Sequence, residues 1–208
     1  MVTTGARERI LLAAERLIAE RGPEVPLRDV AVAAGQRNNS AVQYYFGSRD
    51  GLIDAVVEHR MPALEERRLE LLAEHEAIGD ADDPRVLVEL LARPMLEAGE
   101  RGGVTHLNRF LDQVRNHPAV HDGARLANEN RTFVRLVLTR LDRALGSIPD
   151  RTRNRRVRWM STALLALLAD YERAVEVGQI KAADGSHIDD LLDVLVGILT
   201  VAPTRNAR

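Results

Sequence analysis

Residues 27–52 read LRDVAVAAGQRNNSAVQYYFGSRDGL, and the fold turns on how this stretch is parsed. LRDVAVAA has the composition of a short helix. Pro26 begins it, where a missing N–H costs nothing, and Gly35 ends it. The polar run Gln36 to Asn39 interrupts the chain, and SAVQYYF then spells a third short helix whose first turn Asn38 or Asn39 can cap. Ser48, with Asp50 close behind, is an N-cap for a fourth helix carrying Leu52, Ile53, Val56 and Val57 inward. Upstream, Ile10, Leu11, Ala14, Leu17 and Ile18 recur in helical steps, so that segment is an amphipathic helix, stopped by Gly22 and Pro23.

Two short helices joined by a glycine-initiated turn, and backed by an amphipathic helix, form a helix-turn-helix arrangement whose second short helix enters a DNA major groove. Its exposed face needs paired donors and acceptors for base edges, and donors for flanking phosphates. Asn38, Asn39, Ser40, Gln43 and Tyr44 supply the first set; Tyr45, Arg49, Arg28 and Arg37 supply the second. Taken singly, the Asn and Ser residues can equally cap and turn, and Val42, Tyr45 and Phe46 can equally pack. Together with the helix spacing, the DNA reading is the stronger.

The chain has 208 residues, enough for a small module joined to a larger one. With 45% hydrophobic and 29% charged residues it has the balance of a folded globular protein. There is no cysteine, which excludes disulfides, thiolate metal sites and cysteine nucleophiles. The net charge of −2 divides unevenly: residues 1–50 carry seven arginines against six acids, and the remainder 22 basic against 25 acidic residues. That excess at the N-terminus is a weak sign of an anionic partner. The apolar segment near 188–202 is too short to span a bilayer, so no membrane partner and a cytoplasmic location are expected.

Beyond residue 62 helical periodicity continues. Helices are expected near 64–76, 84–99, 104–116, 120–146, 151–178 and 187–201, with Pro62 kinking or breaking the fourth helix. No strand-like alternation of useful length appears, so the expected fold is all-α with about nine to ten helices. A helix-turn-helix domain over 1–48 precedes a larger helical domain over 49–208. The last helix, IDDLLDVLVGILTVA, is apolar over most of its circumference, which suggests an oligomer contact. Met95, Phe110, Phe133 and Trp159 are candidates for lining a ligand cavity, although such residues at helical spacing more often pack a core. His117 and His121 have the spacing of a helical metal pair, but Pro118 starts a helix between them and no third ligand is evident, so no metal is expected. No motif sets a nucleophile beside a base and no glycine-rich phosphate loop occurs, so neither catalysis nor a cofactor is expected.

The segment from about residue 7 to 60 resembles the N-terminal domain of the TetR family of transcriptional regulators. The resemblance is carried by ERILLAAERLIAERG, LRDVAVAAG, the YYF triplet and GSRDGLIDAVV, the last two similar to the family signature YHF-x-S-K-E-x-L. It implies that Tyr45 and Arg49 contact phosphates, that the start of the third helix and Tyr44 face bases, and that Arg28 sometimes contributes. Three departures bear on specificity. Gly35 to Phe46 is one residue longer than the usual spacing, Gln43 stands where the family commonly has Tyr, and Pro26 replaces a Ser or Thr cap. The resemblance further implies a homodimer through the last two helices, a palindromic double-stranded DNA operator and release by a small-molecule inducer. In such a dimer, recognition helices lie about 34 Å apart in successive major grooves. A second reading, kept open by the small N-terminal charge excess, is a helical carrier or interaction module without gene control.

Overall fold

The computed structural model describes residues 5–38, 40–102, 105–121, 132–182 and 184–202. Among them the regular structure is entirely helical, without strands, in ten helices. Helices α1 (Ala6–Arg21), α2 (Leu27–Ala33) and α3 (Ala41–Phe46) form the N-terminal unit, and α4 (Arg49–Ile78) leads out of it. The C-terminal part comprises α5 (Pro84–Gly102), α6 (Leu107–Gln113), α7 (Pro118–His121), α8 (Thr132–Ala144), α9 (Asp150–Glu176) and α10 (Gly185–Thr200).

The five α1 residues expected to face inward are all buried, as are Leu52, Ile53, Val56 and Val57 of α4. Each Leu, Ile and Val among them contributes roughly 1.5–3 kcal/mol by leaving water. Ser48 caps α4, its Oγ accepting from the backbone N–H of Gly51 at 3.0 Å. The junction between α3 and α4 is tight. Gly47 has φ 71°, and a Cβ added at Gly51 would stand 2.2 Å from the Phe46 carbonyl oxygen. Only glycine at position 51 lets the first turn of α4 seat against the end of α3.

Pro62 does not break α4, one of the two outcomes expected from the sequence; the helix runs on to Ile78 and absorbs the expected segment 64–76. The physical reason is burial. Met61, Leu64, Leu71 and Leu72 are all buried beyond or beside the proline, and together they outweigh a helix-interior proline's cost of about 3 kcal/mol. The expected helix 120–146 corresponds to α7 and α8, its middle lying outside the described residues. Expected segment 104–116 is helical over Leu107–Gln113, after a turn in which Thr105 Oγ1 accepts from the Leu107 N–H at 3.2 Å.

Helix α6 packs between α9 and α1, so the C-terminal part touches the N-terminal unit directly as well as through α4. The carboxylate of Glu15, on α1, is buried there. It accepts from Arg60 Nε and Nη2 at 2.6 and 2.8 Å, from Thr105 Oγ1 at 3.3 Å and from the His106 backbone N–H at 3.4 Å. At the far end, Arg156 of α9 is buried and its Nη1 donates to the Leu199 carbonyl at 2.8 Å. Its Nη2 reaches Val201 O, so one guanidinium satisfies orphan carbonyls at the end of α10. Helix α10 buries Ile188, Leu191, Leu192, Leu195 and Leu199 within the chain, while Val194 remains exposed on its other side. No helix among the described residues is long and apolar enough to cross a membrane.

Candidate functional site

Helix α3 buries only Ala41 and Val42. Those two residues dock it on α2 and α4, which turns the rest of its short circumference to solvent. Tyr44 is 83% exposed and Tyr45 41%, their rings meeting edge to face at 5.1 Å. Phe46 is half-buried beneath the Arg7 guanidinium, 5.4 Å from its ring centroid, and anchors the helix end. Both tyrosine hydroxyls thus project from a fixed backbone rather than from a loop.

The structure brings most of the expected DNA-contacting residues to this face. Gln43 is exposed, and its Nε2 donates to the Gly47 carbonyl, which leaves its Oε1 as an acceptor. Ser40 and Asn38 are exposed at the start of α3, with Asn38 Oδ1 accepting from the Ser40 N–H at 2.9 Å. That bond fixes the turn before α3; Ser40 occupies the N-cap position without a side-chain capping bond. Asn39 lies outside the described residues. Arg37 is exposed on the turn between α2 and α3, and Arg28 on α2 is largely exposed, with its Nε 3.4 Å from Asp29.

Arg49 makes contacts within the chain that its position in the sequence did not signal. Its Nη1 donates to the Val25 carbonyl at 2.6 Å and to the Pro23 carbonyl, so this arm of the guanidinium closes the loop between α1 and α2 onto the start of α4. The loop ends two helices without side-chain caps of its own, since Gly22 terminates α1 and Pro26 opens α2. Arg49 supplies a donor to the carbonyls of Pro23 and Val25 within that loop.

A cavity of about 330 Å³ opens in the C-terminal part. Val57, Met61, Leu64 and Arg68 of α4 form one wall, with Met95 of α5 beside them. Of the four residues expected to line a pocket, Met95 lines this cavity and the other three are not in its wall. Phe110 and Phe133 are fully buried in the core, and Trp159 is 52% exposed beneath the Arg155 guanidinium at 5.1 Å. The reason is helical phase. Arg158, Ser161, Thr162 and Leu165 face the cavity from α9, and Trp159 is turned about 100° from Arg158. Arg68, Arg115 and Arg158 also line the cavity without having been expected. Arg68 had a signal, since it occupies an apolar register along Val57, Met61, Leu64 and Leu71.

Two domain models match the sequence. The model described as "Bacterial regulatory proteins, tetR family" matches residues 10–56, which span α1 to the first turns of α4, and "Tetracyclin repressor-like, C-terminal domain" matches residues 89–200. The chain belongs to the TetR family. It is a DNA-binding transcriptional regulator with a ligand-binding C-terminal domain. Comparison with curated proteins gives no match.

In this TetR-family regulator the shell behind the contact between α1 and α6 is charged. Glu172 is held above the usual carboxylate range by burial, opposed by the N–H of Asn108 and by Arg109. His106 is held below the usual imidazole value, first by burial and then by the neighbouring Arg109. Arg109 joins both, its Nε 3.1 Å from Glu172 and its Nη2 2.6 Å from His106 Nδ1. His117 faces Asp50 and Asp54 of α4 at 3.4 and 3.8 Å, tying α7 to the helix that follows the recognition unit; the His121 side chain lies outside the described residues.

Proposed function

We propose that the protein is a homodimeric repressor that binds a palindromic operator through α3 and leaves it when a small molecule fills the α4-lined cavity. One observation carries this reading. The helix that lines the cavity with Val57, Met61, Leu64 and Arg68 is the helix whose first turn seats α3. A ligand that prefers one position of α4 changes the angle of the recognition unit, and weakens DNA binding by its differential affinity for the two positions.

In this reading residues 1–48 form the DNA-binding domain and 49–208 the dimerisation and ligand-binding domain. Gln43, Tyr44 and the start of α3 from Asn38 to Ser40, Asn39 included, read base edges. Tyr45, Arg28 and Arg37 reach phosphates, and Arg49 sets the loop between α1 and α2 while remaining beside the backbone. Dimerisation uses the outer faces of α9 and α10, where exposed Trp159 and Val194 support it. The test is fluorescence anisotropy against labelled DNA from upstream of the protein's own gene, together with sedimentation to fix the stoichiometry. Selective binding of two chains per site supports the proposal; a monomer on DNA, or no selectivity for any tile or genomic fragment, overturns it.

A further inference from the structure

The geometry points to an amphipathic organic anion, a carboxylate on an apolar body, as the ligand of the cavity. The inference rests on reading that cavity as the effector site. It starts from charge: among the described residues the wall includes Arg68, Arg115 and Arg158 and no Asp or Glu. Arg68 is 95% buried in it and is paired from behind with Glu65 at 3.0 Å, and Arg115 is paired with Asp112 at 2.9 Å. The arginines of α9 with an ion pair among the described residues are Arg153 and Arg173; Arg158 has none. Among the described residues the wall therefore keeps one positive charge beyond those its neighbours neutralise.

The polar donors lead the same way. Ser161 and Thr162, beside Arg158, both spend their hydroxyl hydrogens within α9, on the carbonyls of Val157 at 2.9 Å and Arg158 at 3.0 Å. The donors that remain to face a ligand are the guanidinium N–H groups and the Asn116 NH2, which suit an acceptor-only headgroup, while the Asn116 carbonyl and the two hydroxyl oxygens stand beside them as acceptors. The same wall carries the thioethers and methyl groups of Met61, Met95 and Leu165, which suit an aliphatic or aryl body. A cation would meet three guanidiniums, and a neutral apolar molecule would leave the charge of Arg158 unanswered. In the inferred complex the carboxylate lies by Arg158 and Arg115, near the exposed side, with its body reaching toward α4.

The test is calorimetry on the full chain without DNA, using decanoate and 4-phenylbutyrate as the acids and 1-decanol and decylamine as neutral and cationic counterparts. Saturable binding of either acid, at least about tenfold tighter than the alcohol and amine, is expected. Which acid binds tells an aliphatic from an aryl body. Arg158→Gln, a change at an exposed position, should weaken the acid about tenfold while leaving the alcohol and the melting temperature unchanged. Equal affinity for alcohol and acid, an acid affinity that survives Arg158→Gln, or no acid binding overturns the inference. Operator release is measured separately by anisotropy. Acids that bind without shifting DNA affinity leave the ligand class standing and refute ligand-controlled release. Neutral compounds that release DNA while acids fail to bind do the reverse.

Discussion

Glu15→Ala probes the strut between the recognition unit and the C-terminal domain. Glu15 is 3% exposed and accepts four bonds, two from Arg60 and two from the turn that opens α6. Truncation strands the Arg60 guanidinium and leaves the Thr105 hydroxyl and the His106 N–H without this acceptor. Breaking one side of a fully buried pair costs about 3–5 kcal/mol. Arg60, however, keeps 29% of its side-chain surface in solvent, and screening there reduces the expected loss to about 2 kcal/mol. For a chain of this size that is a fall in melting temperature of about 4–8 °C, read by circular dichroism at 222 nm. Glu15→Gln keeps one oxygen acceptor but no charge, and should lose about half as much. A cycle with Arg60→Gln should return a coupling energy of about 1 kcal/mol. An alanine variant melting within about 1 °C of the parent refutes the reasoning, because it would mean that solvent serves Arg60 and α6 as well as Glu15 does.

Three further outcomes follow from the same packing. Gly51→Ala sets a methyl against the Phe46 carbonyl and should cost about 1–3 kcal/mol in denaturant unfolding while also weakening DNA binding, since α4 must move off α3. Arg156→Leu leaves the carbonyls of Leu199 and Val201 unanswered at the end of α10; a loss of about 2 kcal/mol is expected in urea melts, accompanied by weaker self-association in sedimentation. His106 is held below its usual value, so its neutral form is the one the fold favours. Its contribution is complete above the unfolded value near pH 6.5, and is lost as pH falls from there toward the lower folded value. Stability measured from pH 7 to pH 5 should therefore fall less steeply in His106→Gln than in the parent.

The elements legible in the sequence were those whose signals are local. Ile10 to Ile18 fix a helix face by spacing alone, Gly22 and Gly35 end helices where the backbone must turn, and Ser48 caps α4 with its own oxygen. Pro62 left a break as one of two outcomes because its cost is local, whereas the burial that overrides it is set by partners distant in sequence. The cavity was illegible for a related reason. Which residues of α9 face α4 depends on the rotation of one helix against several others, so Trp159 and Arg158, adjacent in sequence, end in solvent and in the cavity wall respectively. Arg49 shows a third case. Its charge and position were readable, yet the direction of its guanidinium follows from carbonyls in a loop 24 and 26 residues earlier.

The measurement that tests the account most directly is the anisotropy of the operator complex at several salt concentrations for the parent, Gln43→Ala and Tyr45→Phe. The account predicts steep salt dependence for the parent, a uniform loss across sequences for Tyr45→Phe, and relaxed base preference for Gln43→Ala, with about 1–3 kcal/mol less discrimination at the affected base pair. Affinity and base preference unchanged in both variants would contradict it, because the exposed face of α3 would then not be the surface that meets DNA.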